Sequence, residues 1–200
     1  MNSSLQQADY SNLFNSDSIA STVNSEGVCV RNPYGNALGV QYEFGNSISG
    51  GKSEILQLDD NAALIFCDLA EQNSIALEHI VGHDDWIHIQ FRLSGTGSEE
   101  FSESQVIQTP GQSYVITRHQ ANTSSIRTTD KNKRSRFACL YFRPIAVQNL
   151  FMLSPNDFPK DIQWVGSAAQ TGFDWLTKPI PSPISIAAND IFSCDLKGNP

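Results

Sequence analysis

The sequence has little positive charge, no long apolar run and no leader-like N-terminus. Lys and Arg number 13 against 21 Asp and Glu, a formal net charge of −8. That balance argues against unaided binding to nucleic acid, because such binding draws on clustered Lys and Arg. No apolar run approaches the ~20 residues that span a bilayer, and residues 1–7 lack the basic and apolar regions of a secretory signal. A cytoplasmic protein without a membrane partner is therefore expected.

Paired cysteines are also missing. Cys29, Cys67, Cys139 and Cys194 lie far apart, and no Cys-x-x-Cys occurs. In a reducing cytosol such cysteines are more often buried free thiols than a disulfide framework or a structural zinc site. Free thiols are the prediction.

The sequence does contain short apolar runs with a period of two. In residues 86–93, Ile87 and Ile89 fall on one face while His88 and Gln90 fall on the other. This alternation is typical of a β-strand with one buried face. The polar face, which includes Trp86, is expected to be solvated, covered by the C-terminal segment or part of a subunit contact.

Turn residues separate these runs. Gly95-Thr96-Gly97-Ser98 predicts a hairpin, and residues 62–67 are apolar on both faces, as in a central strand. Two hundred residues are enough to bury a core. We therefore predict a mainly-β sandwich or barrel of antiparallel strands. Further strand-like runs lie at 39–44, 53–58, 74–81, 105–108, 112–118, 124–127 and 136–142.

The two ends of the chain differ from this middle part. Residues 1–25 are rich in Ser, Asn and Gln and predict a flexible N-terminal arm, either a loose tail or a lid. Residues 26–143 form the predicted barrel. Residues 144–200 predict a Pro-rich segment with short helices, one near 145–151 and one capped by Ser182.

Sequence spacing indicates no catalytic or metal site. A cupin-type metal site uses a His-x-His pair on one strand, but His88 is followed by Ile89 and Gln90. There is no Gly-x-Ser-x-Gly elbow and no phosphate loop. The carboxylate pairs, Glu99-Glu100 among them, are expected to be solvated turn residues. No metal, no cofactor and no catalytic residue are therefore expected.

A binding cavity remains. Several apolar strand faces carry one polar or aromatic group, as a small-ligand pocket does. Such groups are more often core residues with satisfied hydrogen bonds than ligand contacts. The candidate ligand-binding residues are His79, Trp86, Phe91, Tyr114 and Tyr141.

Two stretches resemble the N-terminal sensor domains of AraC-family transcription regulators. Residues 85–97 are similar to a strand and turn of those domains, and residues 191–198 match an Ile-x-x-Cys-x-x-x-Gly pattern at their junction with a linker helix. The resemblance implies a cupin-like jelly roll that binds a small effector, often dimerises and controls a DNA-binding domain. That domain, with its helix-turn-helix motifs, would lie beyond Pro200.

The leading hypothesis is therefore an effector-sensing regulatory domain that forms a homodimer and is not itself an enzyme. A cupin-fold enzyme, such as a metal-dependent oxygenase or an isomerase, is the rival. A dimerisation module without a ligand is the third alternative.

Overall fold

The computed structural model describes residues 6–9, 28–31, 39–45, 49–71, 76–80, 86–101, 105–119, 123–129, 133–166 and 175–193. For residues 6–9, 28–31, 39–45, 49–50 and 76–80 the structure describes the backbone but not the side chains. The strands are β1 (Gln6–Asp9), β2 (Val28–Arg31), β3 (Gly39–Gly45), β4 (Ser49–Asp59), β5 (Ala62–Glu71), β6 (Ala76–Ile80), β7 (Trp86–Ser94), β8 (Gly97–Phe101), β9 (Val106–Thr109), β10 (Ser113–His119), β11 (Ser124–Thr129), β12 (Arg134–Phe142) and β13 (Trp175–Pro179).

Two sheets face each other. Strands β5, β12, β7 and β10 are neighbours in one sheet, and β6, β11, β8 and β9 in the other. All of these neighbours pair antiparallel. This is the strand order of an eight-stranded jelly roll, the architecture that cupins share. The predicted fold class, a mainly-β cupin-like jelly roll with short C-terminal helices, is therefore confirmed.

Additional strands extend both sheets. The hairpin-connected strands β4, β3 and β2 continue the first sheet beyond β5, and β13 covers its other edge beside β10. In the second sheet β1 pairs in parallel with β6. It is the described part of the predicted N-terminal arm, residues 1–25, and whether the rest is flexible stays a prediction.

The turn after β7 connects the two sheets. A hairpin was expected here, but β7 pairs with β10 and β12 while β8 pairs with β9 and β11. The hairpin prediction is therefore wrong. Gly95 has φ +76°, and a Cβ there would lie 2.6 Å from Ser135 Oγ. Only glycine adopts this left-handed conformation without strain while allowing so close an approach.

The central strands of the first sheet, β7, β10 and β12, are buried on both faces. On its outer face Ile87, Ile116 and Phe142 pack against the segment that follows β12. That segment contains helix α1 (Pro144–Asn149), in which Ala146 and Val147 are buried, and 3₁₀ helices at Pro155–Asp157 and Lys160–Gly166. The C-terminal segment therefore covers the apolar face of β7. The polar face of β7 points towards the second sheet.

A longer helix, α2 (Ser182–Ser193), packs on the same outer face of the first sheet, over β5 and β12. The rings of Phe66 and Phe192 meet edge to face with centroids 5.9 Å apart, and the Arg136 guanidinium lies 4.8 Å from the Phe192 centroid. These contacts attach α2 to β5 and β12. None of the described helices has the length and apolarity needed to cross a membrane.

Candidate ligand-binding site

A group of buried polar side chains lies between the two sheets. They come from five strands, and all point into the interior of the jelly roll. We call this group the lumen cluster; its members are His88 on β7, Glu99 on β8, Thr117 and His119 on β10, Ser125 and Arg127 on β11, and Tyr141 on β12.

An ion pair forms the centre of the cluster. Glu99 and Arg127 are directly opposite in the register of β8 and β11, and Arg127 Nη2 donates to Glu99 Oε2 over 3.0 Å. Ser125 Oγ donates to the other carboxylate oxygen over 2.6 Å. Glu99 was expected to be a solvated turn residue, but only 3% of it is exposed. That prediction is wrong because β8 begins at Gly97, immediately after the turn.

Two imidazoles adjoin this pair. Thr117 Oγ1 lies 3.3 Å from His88 Nδ1 and 3.2 Å from His119 Nε2, and the His119 nitrogen is 3.7 Å from Glu99 Oε1. Burial lowers the pKa of His119 below its usual value, with a further lowering by the Arg127 charge, although Glu99 opposes the shift. His119 is therefore held neutral near neutral pH.

The tyrosine and the arginine complete the cluster. The rings of His88 and Tyr141 stack with centroids 4.4 Å apart and an angle of 14° between their planes. Arg127 Nη1 donates to the Tyr141 hydroxyl over 3.3 Å, and Nη2 lies 3.3 Å from His88 Nδ1. Because a guanidinium can only donate, His88 Nδ1 is the acceptor and carries no proton.

Further along β7 the lumen contains an amide and a second arginine. Gln90 and Arg92 are both buried, and the Arg92 guanidinium lies 5.0 Å from the Phe137 ring centroid. Among the described residues, Gln90 Nε2 finds no hydrogen-bond partner. A buried amide in this state is costly unless another molecule supplies the acceptor. From the sequence, the polar face of β7 is expected to be solvated, covered by the C-terminal segment or part of a subunit contact. It is instead buried inside the jelly roll.

Three of these side chains have the composition of a metal site. His88, Glu99 and His119 each offer one ligand atom, and the three atoms lie within 4.8 Å of one another. Sequence spacing could not reveal this trio because its members lie on three strands. The trio does not fit a divalent cation as it stands, since Arg127 already contacts both Glu99 and His88.

The residues predicted to bind a ligand divide between two places. Trp86 and Tyr141 face the lumen, where they pack in one core cluster. Phe91 and Tyr114 lie near each other on the outer side of the sheet, with ring centroids 6.1 Å apart. For His79 the register places its Cα opposite that of Ser125, and its side chain lies outside the described residues. The lumen residues His88, Gln90 and Arg127 were missed as ligand candidates.

A separate groove lies on the outer surface. It measures about 190 Å³ between α2 and strands β4 and β5, and its sides are mostly apolar. The charged groups at its rim are paired, Lys52 with Glu54 at 3.3 Å and Asp68 with Arg134 at 2.6 Å. The groove therefore lacks the orienting polar groups that the lumen has.

No family model matches the sequence, and no curated protein matches it either. Among solved structures, ToxT from Vibrio cholerae with an unsaturated fatty acid bound matches at 13% identity with a TM-score of 0.42, over 70% of this chain and 48% of the ToxT chain. The chain thus spans about half the length of ToxT, and an apo ToxT structure matches similarly.

Cupin structures match as well. A cupin protein from Bacteroides fragilis does so at 16% identity with a TM-score of 0.33, over 44% of this chain and 70% of that one. An oxalate decarboxylase from B. subtilis matches at 8% identity with a TM-score of 0.35, over 67% of this chain and 41% of that one.

The matching structures thus include both ToxT and cupin proteins. The matches also include an enzyme, and one fold hosts many chemistries. At these identities and TM-scores they do not identify the chemistry of this chain, which depends on its own residues.

Proposed function

We propose that this chain is the small-molecule-sensing domain of a bacterial AraC-type transcription regulator whose DNA-binding half lies outside the sequence. The observation that supports sensing is the lumen itself. It contains the amide nitrogen of Gln90, which is buried and has no hydrogen-bond partner among the described residues, next to a charged cluster centred on Arg127. Buried ionisable groups and unsatisfied polar groups cost stability, so proteins contain few of them. Those that occur are often found at functional sites.

The lining suggests the class of effector. Trp86, Phe137 and Tyr141 offer apolar and aromatic surface, and the Gln90 amide offers a donor. A complementary molecule combines an apolar body with a carbonyl or carboxylate oxygen. The effector is thus a small organic acid or amide, and the proposed lumen contacts are Trp86, Gln90 and Tyr141. His79 stays a candidate from the sequence, whereas Phe91 and Tyr114 lie on the outer side of the sheet and are not proposed for this site.

The proposed mechanism is a shift in population. An effector that binds better to one arrangement of the N-terminal segment, or of a homodimer, changes how the DNA-binding half is presented. Exposed apolar residues on α2, including Ile184, Ile186 and Ile191, are consistent with a dimer contact. The protein acts in the cytoplasm, and the chain reaches DNA only through the other half.

A thermal-shift screen with two matched variants tests the sensing site. Oleate and benzoate serve as first probes, followed by other small acids and amides. In Gln90→Leu the buried amide is gone, whereas Gln108→Leu changes an exposed glutamine on β9. A probe that stabilises the wild type and Gln108→Leu should bind Gln90→Leu about 2- to 10-fold more weakly, the value of one hydrogen bond. Equal stabilisation of all three proteins would place the ligand elsewhere.

The link to transcription needs its own test. The product of the whole gene should bind its own promoter region in a mobility-shift assay, and the effector found in the screen should change that affinity. Binding of an effector with no DNA binding by the whole gene product would leave a sensor of another kind.

A metal-dependent cupin enzyme is the second candidate. Only the composition of the trio His88, Glu99 and His119 favours it, since two histidines and a carboxylate form a known type of catalytic metal site. The enzyme would need Arg127 to move away from Glu99 and His88, which it contacts in this structure. A stoichiometric transition metal in the purified protein, measured by elemental analysis, would support the enzyme over the sensor.

A further inference from the structure

The lumen cluster contains a potential metal site and a fixed positive charge in the same place. The ligand atoms of His88, Glu99 and His119 lie within 4.8 Å of one another, and all three residues are buried. Two histidines and a glutamate are the protein ligands of several catalytic zinc centres. The three residues come from β7, β8 and β10, so the jelly roll brings them together from both sheets.

Arg127 contacts this trio directly. Its Nη2 lies 3.0 Å from Glu99 Oε2 and 3.3 Å from His88 Nδ1, so one guanidinium nitrogen meets two of the three ligand residues. The lone pair of His88 Nδ1 points to the guanidinium, because arginine cannot accept a hydrogen bond. One carboxylate oxygen of Glu99 is likewise occupied.

The charge balance also opposes a metal ion beside Arg127. A histidine that binds a metal ion is uncharged, so Glu99 and Arg127 alone set the charge that an incoming cation would meet, and their charges sum to zero. Adding a divalent cation beside Arg127 would leave two net positive charges in the interior, where like charges a few ångströms apart repel strongly. Without Arg127 the trio with a divalent cation would carry a single positive charge, as zinc sites of this composition do.

We propose that Arg127 is the resident cation of the lumen cluster, that it occupies the place of a metal ion and excludes divalent metals, and that its removal converts His88, Glu99 and His119 into a metal site. This inference does not depend on the identity of the effector.

Zinc and cobalt uptake by the full chain tests the proposal. After incubation with Zn²⁺ and dialysis, the wild type should retain no stoichiometric zinc, whereas Arg127→Ala should retain about one equivalent. With Co²⁺, Arg127→Ala should show the visible absorption of a low-coordinate histidine–carboxylate site. Arg127→Lys, which keeps the charge, should remain like the wild type. Arg127→Ala/His119→Ala should lose the site.

Three results would contradict the proposal. Stoichiometric zinc bound to the wild type and lost in His119→Ala would overturn the proposal. So would Arg127→Ala that is folded, as shown by circular dichroism, but takes up no metal. Should Arg127→Ala be unfolded in metal-free buffer, zinc must refold it by mass action; failure of zinc to do so would also overturn the proposal.

Discussion

Burial determines the reactivity of the single residue Cys139. Its thiol faces the lumen core, is 1% exposed, and burial raises its pKa to about 12. Because the thiolate is the reactive form, a raised pKa leaves the thiol protonated and inert at ordinary pH. Cys67 is also a buried thiol, and its sulfur lies 3.2 Å from Ser53 Oγ. For these two residues the prediction of free buried thiols is confirmed; Cys29 and Cys194 lie outside the described side chains.

We therefore expect Cys67 and Cys139 to resist alkylation in the folded protein. Iodoacetamide at about pH 8 should leave both unmodified in native buffer and modify both in urea, as measured by mass spectrometry of tryptic peptides. Rapid native labelling of Cys139 would show that the core opens far more often than its burial implies.

Pairs of charged residues act at the scale of the element. Asp68 on β5 accepts two hydrogen bonds from Arg134 on the neighbouring β12, over 2.6 and 2.7 Å, and Arg136 lies 3.4 Å away. The hydrogen bond from Arg134 lowers the pKa of Asp68 most, followed by the nearby positive charges, while partial burial opposes the shift. A lowered pKa in the folded state means that the pair stabilises the protein where Asp68 is ionised.

Asp68→Asn should therefore destabilise the protein near neutral pH and not at low pH. Since the Arg134 side chain is 66% exposed, the expected loss is about 0.5–1 kcal/mol, smaller at about 1 M NaCl. Stability from the pair is complete above the unfolded-state pKa of about 3.9 and is lost as the pH falls through the lower folded-state value. Urea unfolding at neutral pH and at about pH 2–3 measures this, with Asp190→Asn, at an exposed position on α2, as the control. A difference that persists undiminished in acid would contradict the assignment.

Features that depend on local sequence alone are predicted, whereas features that depend on contacts between distant strands are not. The alternation in β7 separates Ile87 from His88 because side chains on a strand alternate by geometry alone. It does not say which face meets the second sheet, since that depends on β10, β12 and the C-terminal segment. The unpredicted strand β13 ends at Pro179, and an edge position tolerates proline.

The candidate site is predicted less completely for the same reason. The sequence predicts Tyr141 on an apolar strand face and Trp86 on the polar face of its strand, and both residues reach the lumen. The contact between Glu99 and Arg127 requires the pairing of β8 with β11, which no local pattern specifies. The members of the metal-like trio lie on three strands and have no characteristic spacing in the sequence, so a His-x-His pattern does not detect them.

At the scale of the whole molecule, the jelly roll separates two roles between two surfaces. The interior holds the charged cluster, whereas the outer face of the first sheet is covered by α1 and the 3₁₀ helices. In the proposed sensor, an edge strand is a route by which the state of the interior can reach the rest of the protein. Strand β1 lies at such an edge, beside β6, and belongs to the N-terminal segment that precedes the barrel.

Deleting residues 1–25 should change the effector response without unfolding the barrel. The deletion removes β1, an edge strand, and keeps the eight strands of the jelly roll intact. We expect the deletion variant to unfold cooperatively in urea and to bind the effector found by thermal shift with an affinity altered by about 5-fold or more, the usual size of an allosteric coupling. Removing residues 1–5 alone, which leaves β1 in place, should preserve the affinity of the full chain. An affinity that stays the same in both variants would mean that the N-terminal segment does not couple to the lumen, and that the effector acts through the dimer or α2 instead.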